Sequence, residues 1–472
     1  MARLRNFIVL TFWASLSMAQ GNWTLQKCLE VGLQNNISIK QAQLNVANSH
    51  LNYRQSKENL LPSVSGFANY NFSFGRNINP VNNSYVQQNV QSSQLGISSQ
   101  LTLFSGLRNS NSIKLNQVND AVSLKDLDVI NNNLSLQIAT QFLQILFSDE
   151  TVKIEELALA ATQKELETAK LLFSVGTTNQ SAVLELDAKL ASNKLELITA
   201  QNSLRLAKIA LTQLLQIPFE ESFAVERPNI GIPEEIILEN TNSIYEKAKK
   251  AMPEIERSIL KHKAFLIQQS ISKGAYFPTL SLTANVSSLF SDNFKDVINP
   301  QTILVPIGYV QSTNDLVLAK SIGYDGTKTR SFSNQVNDNL GKSIGFSLSI
   351  PIYNNAQIRT QVKQADLQSQ QQKLEILRAE NELFTSIATA VANYDGALVK
   401  YKALAVAVNA QKKNYDFNIL RFETGALSST DLITSQTNYE SAEFNLTQGK
   451  YDLIFKKVML DFYRGKPLAL AP

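Results

Sequence analysis

Few side chains in this chain could do chemistry. Its 472 residues include two histidines, His50 and His262, and one cysteine, Cys28. Neither histidine stands at metal-ligand spacing, and no phosphate-cradling loop, nucleophile elbow or zinc-helix motif occurs. One cysteine excludes an intramolecular disulfide. Leu25-Gln26-Lys27-Cys28 looks superficially like a lipoprotein cleavage box. Lys27 stands where a small residue is needed and no apolar run precedes it, so Cys28 reads as a buried helix residue. The acid that stands out is Asp431, three residues after Ser428. At a helix start, Ser-x-x-Asp supports the cap and suits the helix dipole. The same carboxylate could also be a functional acid at a hairpin tip. No catalytic constellation is present, so we expect no enzyme, no cofactor and no metal.

The elements that must position Asp431 come next. It lies just beyond Leu420-Arg-Phe-Glu-Thr-Gly-Ala-Leu427, and a similar stretch stands at Leu171-Leu-Phe-Ser-Val-Gly-Thr-Thr178. A Gly that ends a long helix, before polar residues able to start another, marks a helical hairpin tip. Gly176 can take the left-handed conformation there without a Cβ clash. Asn179 and Ser428 are then the N-caps of the returning helices. Leu107 to Ser174 holds no Gly or Pro, and Ala356 to Glu423 only Gly396. Helices of about 68 residues span roughly 100 Å. Such helices cross a distance rather than fill a globular core.

The two tips belong to an internal repeat. Gly176 and Gly425 are 249 residues apart. Val183, Leu190, Leu197, Leu204 and Leu211 recur every seven residues, and at the same offset stand Leu432, Tyr439, Leu446, Leu453 and Leu460. The companion line, Leu186, Asn193, Ala200, Ala207 and Leu214, includes small residues that let helices approach closely. A strict seven-residue period implies a left-handed coiled coil. Leu101-Thr-Leu-Phe104 and Ile350-Pro-Ile-Tyr353 keep the offset, whereas Leu61-Pro62-Ser63 matches Phe277-Pro278-Thr279 at 216. The difference of 33 places an insertion between residues 278 and 345 of a duplicated unit.

Four segments alternate. Val64, Ala68, Tyr70 and Phe72 oppose Ser63, Ser65, Asn69 and Asn71. Leu95, Ile97 and Leu101 oppose Gln94, Ser98 and Gln100; Leu280, Leu282, Ala284 and Val286 oppose Thr279, Ser281, Thr283 and Asn285. Ile344, Phe346, Leu348, Ile350 and Ile352 oppose Ser343, Gly345, Ser347 and Ser349. This is the period of strands. Each is about ten residues, enough to cross a bilayer when tilted. An apolar face backed by Ser, Asn and Gln suits a water-filled membrane barrel, and equally a half-exposed soluble sheet. Four strands cannot close a barrel around water, and an open edge cannot sit in lipid. In a membrane, several chains must therefore contribute, and three would give twelve strands. The second hairpin's long loop, about 290–341, reads as polar and external.

A net charge of +4 with no basic stripe gives no sign of nucleic-acid binding. Residues 1–19 read as a secretory signal: Arg3 and Arg5, an apolar run from Phe7 to Leu16, and Ser17-Met18-Ala19 before Gln20. The organisation expected is a signal at 1–19 and a first repeat at 20–215, with strands at 63–74 and 94–104 and a tip at 174–180. A linker at 216–242 contains Pro218, Pro228 and Pro233. A second repeat at 243–464 has strands at 279–290 and 342–353 and a tip at 423–430, followed by a tail at 465–472. The helices before the strands are expected at 24–60 and 243–276.

This ordered set resembles the outer membrane efflux protein family, the TolC-like channels. The resemblance covers the whole mature chain. It rests on the duplicated helix-strand-strand-helix-helix order, the Leu-Pro and Phe-Pro strand entries, Phe-x-x-Gly at 173–176 and 422–425, and the opening Trp23-Thr-Leu-Gln-Lys-Cys-Leu29 with Asn35-Asn36. The resemblance implies a mainly α protein with a membrane β-barrel portion. In it a homotrimer would form a twelve-stranded barrel continuous with a twelve-helix coiled-coil tunnel. It implies the outer membrane of a Gram-negative bacterium, with the helices in the periplasm and the linker in an equatorial belt. It implies a periplasmic membrane-fusion adaptor and an inner-membrane pump of RND, ABC or MFS type as partners, besides the lipid bilayer. The function implied is the exit duct of a tripartite efflux or type I secretion system. Phe173, Gly176, Phe422 and Gly425 would make the tip and adaptor contact. The family's gate acids stand six and nine residues after the second Gly, where this chain has Asp431 and Thr434. A family arginine is replaced by Leu427 and another acid by Ala182, which departs from the family's ionic lock. A coiled-coil tether or adhesin of the envelope is the competing reading, and it needs no polar lumen.

Overall fold

The computed structural model describes residues 23–78, 83–87, 89–228, 231, 239–466 and 468. The signal expected at 1–19 lies outside the described residues, as do parts of the linker expected at 216–242 and of the tail expected at 465–472. In chain order, α1 (Leu25–Asn35) and α2 (Ile37–Glu58) precede β1 (Ser63–Ser73), the short strands β2 (Arg76–Ile78) and β3 (Tyr85–Gln87), and β4 (Val90–Ser105). Helices α3 (Arg108–Ser174) and α4 (Gln180–Leu215) follow. After the linker come α5 (Thr241–Ala251), α6 (Pro253–Gly274), β5 (Thr279–Ser291), β6 (Lys295–Ile298), β7 (Gln301–Tyr309), β8 (Leu316–Gly323) and β9 (Gly326–Thr329). Then stand α7 (Phe332–Asp338), β10 (Gly341–Ser349), α8 (Gln357–Glu423) and α9 (Ser429–Tyr463). Among the described residues no helix is long and apolar enough to cross a membrane.

The helix expected over 24–60 is two helices. Asn36 leaves helical geometry, donates its amide to the Leu214 carbonyl at 3.1 Å, and caps the next helix by accepting from Ser38 N. Met252 makes the corresponding break, because Pro253 drives the residue before it to extended geometry and then fits a first helical position. The strand expected to run to 353 ends at Ser349, two residues before Pro351, which has no N–H to give to a ladder. The loop expected over 290–341 is built: it holds four strands and α7.

The chain forms two compact units. One comprises residues 49–119 and 263–371. Its centre is an antiparallel sheet in the order β1-β4-β5-β10, so β1 and β10 are edges. Pairs such as Gly66↔Ile97, Ile97↔Val286 and Leu282↔Phe346 fix the register across the four strands, with a shift in the β4–β5 ladder between Thr102 and Phe104. The turn from β4 into α3 is left-handed at Gly106 and Leu107 (φ +64° and +62°), and the turn into α8 repeats this at Asn355 and Ala356. A Cβ on Gly106 would stand 2.1 Å from the Gly274 carbonyl oxygen, so only glycine fits there.

The other unit comprises the described residues within 1–48, 120–262 and 372–472. Its buried apolar groups form three clusters. Cys28, Ile138, Phe142, Leu211 and Leu215 join α1, α3 and α4, with Phe223 of the linker added. Trp23 pairs with Val225 and rests on the Phe223 ring, which ties the linker to the start of the chain. Ile244, Ile387, Tyr394, Leu398, Leu453 and Leu460 join α5, α8 and α9. Leu166, Leu186, Tyr415, Phe422 and Leu432 join the four helices near their tips. On α4 the small-residue line is the deeper one up to Ala207: Asn193, Ala200 and Ala207 are buried while Val183, Leu190 and Leu197 are half-buried, and beyond it Leu211 is buried and Leu214 half-buried.

Candidate functional site

The sheet separates its side chains by polarity. Directly paired residues share a face. Val64, Tyr70, Phe72, Leu95, Ile97, Leu282, Val286, Ile344, Phe346 and Leu348 lie on one face. Ser65, Asn69, Asn71, Gln94, Ser98, Thr283, Asn285, Ser343 and Ser347 lie on the other. Phe67, Val90 and Leu289 are the apolar residues on the polar face, the Phe67 ring lying over Gly96, and Ser93, Ser99, Ser288 and Lys342 are polar residues on the apolar face. The apolar face is exposed: Ile344 is 77% and Phe346 71% accessible.

At the helical tips, Gly176 and Gly425 take φ of +75° and +72°. A Cβ at either would meet no clash, so backbone conformation alone demands glycine. Asn179 accepts from Ala182 N at 3.0 Å, and Ser428 accepts from Asp431 N at 3.2 Å. Ser428 also donates its hydroxyl to the Asp431 carboxylate at 2.7 Å, so Asp431 serves the cap while remaining exposed. Thr434 is exposed and donates to the Thr430 carbonyl at 2.7 Å. The two tip phenylalanines differ: Phe422 is 4% accessible, packed among Leu166, Leu186 and Leu432, whereas Phe173 is 46% accessible.

An acid that the sequence reading passed over joins the tips. Glu185 on α4 accepts from Ser429 Oγ at 2.8 Å and Thr430 Oγ1 at 3.2 Å, both in the first turn of α9. These bonds, with Ser181, hold its carboxyl below the usual range. Glu185 stands nine residues after Gly176, just as Thr434 stands nine after Gly425. The spacing rule applied to the first repeat would have found it.

Deeper in the bundle is a buried polar belt drawn from all four helices. Asn193 of α4 donates to the Ala158 carbonyl at 3.3 Å and to Thr162 Oγ1 of α3 at 2.9 Å. Gln436 of α9 donates to the same hydroxyl at 2.7 Å. The Tyr415 hydroxyl of α8 donates to Glu165 of α3. Lys189 of α4 donates to Glu440 of α9 at 2.8 Å. Burial pushes the Glu165 carboxyl up to about 7, against the pull of the Tyr415 bond. Burial also raises Glu440, against Lys189. Only Asn193 signalled this belt, as a polar residue in a heptad line that is otherwise mostly apolar. Among the described residues no group of three or more His, Cys, Asp or Glu could hold a metal.

Comparison with known proteins fits this geometry. The sequence pattern of the outer membrane efflux protein family matches residues 29–215 and 244–465. Outer membrane protein TolC of Escherichia coli K12 is 21% identical over 414 residues, covering 86% of this chain and 74% of TolC. Outer membrane efflux protein BepC of Brucella suis is 20% identical over 447 residues, covering 94% and 85%. The crystal structure of CusC superposes with a TM-score of 0.75 at 15% identity, over 96% of both chains, and so shares the fold. The chain is a mainly helical outer-membrane protein that belongs to the outer membrane efflux protein family.

Proposed function

We propose that this chain is the outer-membrane exit duct of a tripartite efflux or type I secretion system, passively conducting cargo handed over from the periplasm. The observation that carries this is the sheet: four paired strands, mainly apolar on one face and mainly Ser, Asn and Gln on the other. Two open edges, β1 and β10, favour closure with other copies. Three copies make a twelve-stranded barrel, with the polar face lining the lumen. The helices support the same assembly, because Leu195, Ile198, Leu206, Val406 and Leu420 are exposed in the single chain and suit helix contacts between copies.

At the far end of the duct, the tips at Phe173–Gly176 and Phe422–Gly425 meet a periplasmic membrane-fusion adaptor and, through it, an inner-membrane pump. Asp431 is the gate acid, three copies around the narrow passage, with Thr434 adding no charge. Glu185 is engaged with α9 and fixes one hairpin to the other. The duplicated unit explains why both tips share a backbone.

The test is the mass of the purified protein in mild detergent. Three times the mature chain is expected. A monomer that still conducts ions would overturn the assembly. A tether or adhesin would form no conducting pore.

A further inference from the structure

The segment between β5 and β10 is a ribbon that the membrane reading leaves without a role. Strands β6 and β9 pair, then β7 and β8 pair beyond a kink where Asn299 donates to Asp325 at 2.8 Å. A two-stranded ribbon is marginal in water by itself, and this one is apolar. Register places Leu304, Pro306, Tyr309, Leu316, Leu318 and Ile322 on one face. All six are exposed, with Leu304 at 60% and Leu316 at 66%. The opposite face carries Ile303, Val305, Val317, Ala319 and Ser321. Lys320, the one charged side chain on the two strands, pairs with Leu304 and so lies on the large-residue face, as does Thr302; its long apolar stem lets the ammonium reach the headgroup level from there. Soluble surfaces rarely leave such a stripe uncovered.

The base of the ribbon identifies what covers it. Arg330 N donates to the Phe294 carbonyl, and the Arg330 side chain pairs with Asp296 of β6 and Asp338 of α7. Helix α7 rests on the apolar face of the sheet. There Ser288 donates to the Val336 carbonyl at 2.8 Å, and the Phe290 and Phe332 rings are 5.3 Å apart. Ser288 and Phe290 are on the side of Val286 and Leu282, by strand alternation. The excursion therefore leaves the sheet on its apolar side, at the Ser291 end of β5.

We propose that the large-residue face of the β7–β8 ribbon lies in the acyl-chain region of the outer membrane, as a lateral arm continuous with the apolar face of the sheet. This rests on the reading of that face as lipid-facing. The ribbon's stripe then finds in lipid the cover that none of the described residues of its own chain supplies. Tyr309 and Tyr324, at the two ends of the ribbon, suit the headgroup level.

Single cysteines carrying an environment-sensitive nitrobenzoxadiazole label test it in the assembled protein. The native Cys28 is fully buried and its thiol is pushed by burial up to about 12, so it stays unlabelled. The variants are Leu304→Cys and Leu318→Cys on the stripe, Ser321→Cys on the opposite face, and Ile344→Cys on the sheet. The protein is placed in phosphatidylethanolamine–phosphatidylglycerol vesicles containing doxyl-labelled phosphatidylcholine, and aqueous iodide is the second quencher. Leu304→Cys and Leu318→Cys are expected to be quenched by doxyl lipid as strongly as Ile344→Cys, and Ser321→Cys less. Iodide quenching of the stripe would place it in water and overturn the proposal. Protection from both quenchers would place it against another copy and also overturn it. If Ile344→Cys itself escapes doxyl quenching, the lipid-facing reading of the sheet has failed instead.

Discussion

Glu165 and Glu185 belong to the same helical hairpin, one on each arm, and their surroundings pull them in opposite directions. Glu165 is enclosed by four helices with one hydroxyl to donate to it, and burial favours its neutral form. Glu185 stands at the first turn of α9 with three hydroxyls donating, and they favour its charged form. Residue type does not decide the charge here; donors and water do. The lesson is that the two hairpins are joined at two levels with different chemistry. The buried belt uses neutral and paired groups, and the tip uses an ionised carboxylate.

The largest expected effect is at the belt. Lys189 and Glu440 are 12% and 17% accessible, so Lys189→Met leaves a largely enclosed carboxylate without its cation. A loss of about 3–5 kcal/mol follows from breaking such a pair, read as thermal unfolding of the protein in detergent. Adding Glu440→Gln should restore part of the loss. No restoration would mean that the two residues are not coupled.

The second effect is in pH dependence. The folded Glu165 carboxyl is raised from its ordinary 4.5 to about 7. Between these values the folded state holds a proton that the unfolded state has released, so stability falls as pH rises through the window. Above the folded value no further change arises from this group. The slope is worth on the order of 3 kcal/mol across the window, and Glu165→Gln should flatten it. Glu185 acts with the opposite sign: its contribution is present above the ordinary carboxylate value and is lost as pH falls through its depressed one. A wild-type unfolding curve that rises with pH between 4.5 and 7 would contradict the belt.

Smaller effects belong to the tip. Ser429→Ala removes one donor to Glu185 at a cost of about 1 kcal/mol, and limited proteolysis should show earlier cleavage near Gly425. Asp431→Asn removes a first-turn charge but keeps the Ser428 cap, so it should cost about 0.5 kcal/mol. A much larger loss would make Asp431 a structural residue first.

Much of this was legible in the sequence because it is local. Gly176, Gly425, Asn179 and Ser428 announce the tips, since a left-handed helix end and an N-cap depend on a few adjacent residues. The sheet faces were legible because period two runs through β1, β5, β10 and β4 as far as Thr102. The breaks at Asn36 and Met252 were harder. Asn36 ends its helix through a bond to Leu214, a residue 178 positions away, whereas Pro253 was a visible signal at the other break. The belt was hidden for the same reason of distance: Glu165 and Tyr415 are 250 residues apart. The ribbon looked like loop because Asn299-Pro300 and Asp325-Gly326 read as turns, and apolar residues on both of its faces obscure the alternation.

The most direct test of a conducting duct with an acidic tip is planar-bilayer recording of the purified protein beside Asp431→Asn. Wild type should give stepwise, cation-selective conductance with block by trivalent cations. Asp431→Asn should keep the steps while losing selectivity and block. Block should be weaker than a doubly acidic tip would give, because Thr434 holds the second position. Steps with unchanged selectivity and block in the mutant would remove Asp431 from the gate. Absence of any conductance from protein shown to be inserted would contradict the duct itself.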